Sequence, residues 1–163
     1  MKTIRIFLVL GIVALAFSAC KPEEVFDTEE QFVRDTVLIE QYLADNNLEA
    51  EVDESGIRYI ITEQGTGENA KFGSTVLVKY TGYLLDGTTF DTNVGGADSF
   101  DFVIGQGAVV QGWDIAFKLF NKGTEATIFI PSKYGYGNVG NLFIPANSVL
   151  IFEVRVVDIL GND

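Results

Sequence analysis

Gly105-Gln106-Gly107-Ala108-Val109-Val110-Gln111-Gly112-Trp113 holds the only tryptophan of the 163-residue chain. The stretch joins an apolar strand pattern, Phe100 to Ile104, to a short helix pattern that ends near Phe120. Trp113, Phe117 and Phe120 recur at i, i+4 and i+7, which is one face of a helix. An indole at a helix start is either the plug of a core or the floor of a pocket, and the function turns on which.

Outward from this stretch the chain reads as strands and turns. Ile57 to Gln64 is an expected strand with Ile57, Tyr59 and Ile61 on one face, followed by the turn cluster Gly65-Thr66-Gly67-Glu68-Asn69. Neither Gly-Lys-Ser/Thr nor a helix pattern follows these glycines, so they do not cradle a phosphate. Thr75 to Leu85 is rich in valine, tyrosine and threonine, and Asp86-Gly87 predicts a hairpin leading to Phe90-Asp91. Thr92 to Ser99 reads as a polar loop or bulge. Beyond the helix, Asn121-Lys122-Gly123 is a stop, Ala126 to Ile130 a strand, Pro131 to Asn147 a long loop, and Val149 to Ile159 a closing strand. No βαβ rhythm appears. The prediction is an α+β domain, a curled antiparallel sheet of five to six strands wrapped around one short helix.

Composition excludes whole classes of chemistry. There is no histidine, so Ser-His-Asp and Cys-His arrangements, histidine metal sites and histidine-ligated haem are absent. The net charge of −12 argues against nucleic-acid binding and against electrostatic docking to anionic lipid. Carboxylates, phenols, backbone amides and apolar walls remain. No metal and no cofactor is expected.

Residues 1–19 read as a signal peptide. Lys2 and Arg5 precede an apolar run, Ile6 to Ala19, that is short of the roughly 20 residues a membrane-spanning helix needs. Ala16-Phe17-Ser18-Ala19-Cys20 resembles the lipobox of bacterial lipoproteins, which implies lipidation of Cys20 and anchoring in the cell envelope at the outer membrane, on its periplasmic or its surface face. Residues 20–27 form the tether. Lys21-Pro22-Glu23-Glu24 is a plain linker or, equally, resembles an export signal of surface lipoproteins. A helical extension is expected over 28–54. Thr28 with Gln31 fits a capping box, and Phe32, Val33, Val37, Tyr42 and Leu43 recur at mixed helical spacing up to Asn46-Asn47. This helix either packs on the following domain or mediates a dimer. Asp45 to Glu49 is no EF-hand loop, because the glycine position is Ala50.

Five blocks in order resemble the FKBP-type peptidyl-prolyl isomerases over residues 55–160. They are Val78-Lys79-Tyr80-Thr81-Gly82-Tyr83-Leu84 with Asp86-Gly87-Thr88-Thr89-Phe90-Asp91-Thr92, then Phe100-Asp101-Phe102-Val103-Ile104-Gly105, then Val109-Val110-Gln111-Gly112-Trp113. Ile130-Pro131-Ser132-Lys133-Tyr134-Gly135-Tyr136-Gly137 and Ile144-Pro145-Ala146-Asn147-Ser148-Val149-Leu150-Ile151-Phe152-Glu153-Val154 complete them.

The resemblance implies an isomerase domain over 55–163 that acts on proline-containing polypeptides. It places Trp113 at the floor of a proline pocket and Tyr80, Phe90, Phe100 and Phe152 in its walls. Asp91 and Tyr136 would be its polar groups, and Tyr80, Phe90, Asp91, Trp113, Tyr136 and Phe152 the catalytic set. Substrate contacts would come from Phe100, Phe102, Val109, Val110, Phe143 and Ile144, with the Val110 N–H donating to a substrate carbonyl. For Asp91 two roles stay open, contact with the twisting amide or orientation of Tyr80 through its phenol. A binding or chaperone module with little turnover is the alternative to an enzyme.

Overall fold

One antiparallel sheet carries the chain in this computed structural model, which describes residues 27–161. The expected signal peptide, Cys20 and all but the last residue of the tether lie outside the described residues. The elements are α1 (Thr28–Asp45), β1 (Glu51–Val52), β2 (Arg58–Glu63), β3 (Thr75–Leu84), β4 (Thr89–Thr92), β5 (Phe100–Val103), α2 (Gln111–Ala116), β6 (Glu125–Ile130) and β7 (Leu150–Leu160). The strand order is β1-β2-β6-β7-β3-β4, and β5 also pairs with β3. Seven strands rather than five to six are present among the described residues. The addition is β1, whose two residues pair with Tyr59 and Arg58 and are too few to show an alternation.

The strands alternate as a sheet with one strongly apolar face should. Val76, Val78, Tyr80 and Gly82 of β3 point inward, as do Ala126, Ile128 and Ile130 of β6 and Phe152, Val154 and Val156 of β7. Register places Tyr80 opposite Val154 and Gly82 opposite Phe152. This concave face closes on α2 and the short 3-10 turn Phe117–Leu119 that prolongs it. Trp113, Phe117 and Phe120, the predicted helix face, are all buried there. Gly112 permits the close fit, since a Cβ on it would lie 2.5 Å from the Ile130 side chain.

The opposite face of the sheet is covered too. Phe129 of β6 and Ile151 of β7 are register partners that point away from α2, and Ile39 and Leu43 of α1 pack on them with Val149. One face of α1 therefore packs on the domain. Two details differ from expectation. The N-cap is Asp27, whose carboxylate accepts the N–H groups of Glu29 and Glu30 at 2.9 and 3.2 Å, so the Thr28 box is displaced by one residue. The buried stripe is Asp35, Ile39 and Leu43, while Val33 and Val37 are 60% and 55% exposed.

Candidate active site

Trp113 enters the site from the first turn of α2, presented by the glycine-rich turn before it. The Asp114 carboxylate accepts the Gly105 N–H at 2.7 Å and fastens that turn back to the helix. Val110 is the N-cap, and its carbonyl accepts the Trp113 N–H at 2.9 Å. Among the described residues the Val110 N–H meets no acceptor, which leaves a donor at the rim.

Five rings surround the indole. Tyr80, Phe117 and Phe152 have centroids 5.0, 5.1 and 5.1 Å away, Phe102 5.4 Å and Phe100 6.1 Å. Most meet it tilted or edge-on, the arrangement the ring quadrupole favours. Phe90 stands edge-on to Phe152 at 5.5 Å. The wall exists because Gly82 has no side chain. A Cβ there would lie 2.5 Å from the Phe90 ring and 2.9 Å from that of Phe152.

These rings enclose a cavity of about 200 Å³, lined by Tyr80, Phe90, Asp91, Phe100, Ala108, Val109, Val110, Trp113, Tyr136 and Phe152. Pockets for drug-sized ligands begin near ~300 Å³, so this one suits a single small ring. Eleven of the twelve residues singled out from sequence fall into two groups at the cavity. Nine line it; Phe90, Asp91 and Tyr136 also border a neighbouring hollow with Asn141, Phe143 and Ile144. Phe143 there is 70% exposed and Ile144 is buried. Phe102 lines neither; it is 3% exposed, behind Phe100 and Trp113. Ala108 was not foreseen, for nothing about an alanine in a glycine-rich turn marks it as a wall.

The polar edge is a tyrosine–aspartate pair. Tyr80 donates its phenol proton to Asp91 Oδ2 at 2.7 Å, a contact set by the β3–β4 register that puts Gly82 opposite Asp91. Asp91 is exposed rather than buried, which removes the need for a basic partner that a buried carboxylate would have. Lys79 instead holds the following loop by the carbonyls of Gly96 and Asp98. Asn93, not noticed in the sequence, docks that loop on β3 by accepting the Tyr80 N–H at 2.7 Å and donating to the Val78 carbonyl at 2.9 Å.

Burial pushes the Tyr80 phenol above its ordinary 10.0, and the hydrogen bond to Asp91 and that carboxylate's charge push it further. The phenol holds its proton more firmly folded than unfolded. Its contribution to stability is therefore complete below pH 10 and is lost as pH rises through the folded value. In an alkaline titration followed by tyrosinate absorbance, Tyr80 is expected to ionise last. Asp91→Ala should bring that last step to lower pH, and an unmoved step would remove the coupling.

Comparison with known proteins adds an independent line. The family model described as FKBP-type peptidyl-prolyl cis-trans isomerase matches residues 66–157. The chain is 40% identical over 112 residues to the rat (Rattus norvegicus) peptidyl-prolyl cis-trans isomerase FKBP4, covering 68% of this chain and 24% of that protein. It is 40% identical over 122 residues to the FKBP-type peptidyl-prolyl cis-trans isomerase FkpA of Aeromonas hydrophila, covering 74% of this chain and 45% of that one. The crystal structure of FkpA from Escherichia coli superposes with a TM-score of 0.69 at 29% identity, over 83% of this chain and 63% of the other.

Proposed function

The chain belongs to the FKBP-type peptidyl-prolyl cis-trans isomerase family, and on that premise we propose that its aromatic cavity catalyses rotation about X–Pro bonds of exported or envelope polypeptides. The observation that carries this reading is the cavity itself. Its size fits one proline ring, its floor and walls are Trp113, Tyr80, Phe90, Phe100 and Phe152, and an unengaged Val110 N–H stands at its edge.

The mechanism needs no nucleophile, because no bond to carbon is made or broken. Rotation faces a barrier of about 18–20 kcal/mol from lost amide resonance and takes tens to hundreds of seconds unaided. The catalyst must favour the twisted amide over both planar forms. Twisting reduces the charge separation across the amide, so an apolar pocket disfavours the planar states more than the twisted one. The Val110 N–H would hold a carbonyl while the bond turns. Asp91 would orient Tyr80 through the phenol. A 10⁴-fold acceleration corresponds to about 5.5 kcal/mol of such differential binding.

The test is a short-peptide isomerase assay and a proline-limited refolding assay on residues 21–163. Acceleration of both is expected. A second reading, a chaperone module with little turnover, draws on the apolar residues beside the cavity, since Val139, Leu142 and Phe143 are 83%, 89% and 70% exposed. Turnover no faster than buffer, with peptide binding retained by the fluorescence of the single tryptophan, would select the module over the enzyme.

The same proposal anchors the domain in a bacterial envelope through lipid on Cys20, at the outer membrane and on either its periplasmic or its surface face. Several acyl chains on one residue give stable attachment, each buried CH₂ contributing about 0.8 kcal/mol. Labelled palmitate should enter the parent protein and not Cys20→Ser; an unlabelled parent rejects the anchor. A dimer through α1 would use Val33, Val37 and Leu38, which stay exposed after the helix has docked, and a monomer at all concentrations in sedimentation would reject it.

A further inference from the structure

Asp35 is fully buried in α1, yet it lies outside the matched family region and takes no part in the mechanism above. A buried carboxylate must be held by donors, and three converge on it. Gln31 Nε2 donates to Oδ1 at 2.7 Å; the Ser132 N–H and the Ser132 hydroxyl both donate to Oδ2, at 2.7 and 2.6 Å. None of these donors is charged, so the carboxylate is committed to one loop residue 97 positions away in sequence.

Ser132 is a hub. Its carbonyl accepts the N–H groups of Gly135 and Gly137, both at 2.9 Å. Those two glycines flank Tyr136, which lines the cavity. Further contacts hold α1 against the same short turn, Ser132–Tyr134: Lys133 Nζ meets Glu29 Oε1, and Phe32 stands edge-on to Tyr134 at 6.1 Å. The far side of the loop is pinned by the Asn147 N–H donating to the Gly137 carbonyl at 2.7 Å. One continuous path of hydrogen bonds therefore runs from Asp35 through Ser132 to both backbone neighbours of Tyr136.

Resting on the isomerase reading, we infer that Asp35 is a positioning residue for catalysis, through which the N-terminal helix sets where the Tyr136 hydroxyl stands over the substrate. Asp35 touches no substrate; it acts through Ser132. The helix is then a working part of the active site rather than a spacer between anchor and domain.

The test is a double-mutant cycle on the full chain in detergent, with kcat/KM measured on an X–Pro peptide. Tyr136→Phe is expected to lower kcat/KM about tenfold and Asp35→Asn about fivefold, the scale of one hydrogen bond. In the Tyr136→Phe background, Asp35→Asn is expected to change kcat/KM less than twofold. Equal losses in both backgrounds, or no loss in either, would overturn the inference, because a purely structural carboxylate would act regardless of the Tyr136 hydroxyl. Near-UV dichroism checks that each variant is folded. Should Asp35→Asn not fold, Ser132→Ala, which removes the hydroxyl and keeps the N–H bond, runs the same cycle. Hydrogen exchange at the Gly135 and Gly137 amides is the second arm, and Asp35→Asn should speed it at least tenfold. An inactive parent would refute the isomerase reading alone and leave the exchange arm to decide, with unchanged exchange overturning the link to Tyr136.

Discussion

Trp113→Ala is expected to abolish isomerase activity and to destabilise the domain by about 3–5 kcal/mol, the cost typical of removing a buried large aromatic side chain. The size of the effect follows from the position of the ring. It is 3% exposed, touches rings from β3, β5, β7 and the 3-10 turn that follows its helix, and also closes the cavity from below. Truncation would join the cavity to a void in the core that the five neighbouring rings cannot fill without leaving their tilted or edge-on geometry. Asp91→Ala is the comparison that separates pocket from core. Asp91 is exposed, so its loss should leave the melting temperature within about 2 °C, as surface substitutions do, while activity falls through the unrestrained Tyr80 phenol. The measurements are thermal unfolding and kcat/KM on both variants. Equal losses of melting temperature would show that Asp91 supports the fold and not the site.

Removal of α1, by starting the chain at Ala50, is expected to lower stability by about 3–6 kcal/mol and to promote aggregation. Ile39 and Leu43 are buried at 0% and 8% exposure against Phe129, Val149 and Ile151. Burying each aliphatic side chain contributes about 1.5–3 kcal/mol, and the partners on the sheet would face water as a new apolar patch. Arg58, 8% exposed and held by Glu40 at 2.6 Å, would lose its carboxylate as well. Against a total of about 5–15 kcal/mol for a domain this is a large fraction. Urea unfolding of the shortened chain reads it directly. An unchanged midpoint would mean that the domain folds independently of the helix, and would also undercut any role for Asp35.

The two variants probe opposite faces of one sheet, and those faces differed in how legible they were. On the concave side, short-range patterns carry the information. Trp113, Phe117 and Phe120 mark a helix face, the Asp-Gly turn marks the β3–β4 hairpin, and strict alternation in β3 marks which residues point inward. Hydrophobic periodicity is a local property of the chain, so it survives without knowledge of the fold. The aromatic walls of the cavity follow from that same alternation together with the family resemblance.

On the convex side the local pattern misleads. In α1 the valines at 33 and 37 look like the buried face and are exposed, whereas an aspartate at 35 starts the stripe that is buried. Periodicity ranks residues by hydrophobicity and so cannot place a carboxylate in a core. What makes Asp35 stable there is a pair of donors on Ser132, supplied only when the loop after β6 comes to rest against the helix. A hint was present in β6 and β7, where Phe129 and Ile151 are apolar on the face that alternation assigns to solvent. The chemistry of Asp91 has the same origin. Its carboxylate and the Tyr80 phenol are eleven residues apart, and the β3–β4 register decides that they meet at 2.7 Å. The sequence alone determined the class of fold and the absence of histidine chemistry, because composition and local period are written in the chain, and its family resemblance pointed to nine of the ten residues that line the cavity. The tertiary structure decided which polar groups are partners and which helix face is buried, because a hydrogen bond or a buried charge depends on groups that only folding brings together.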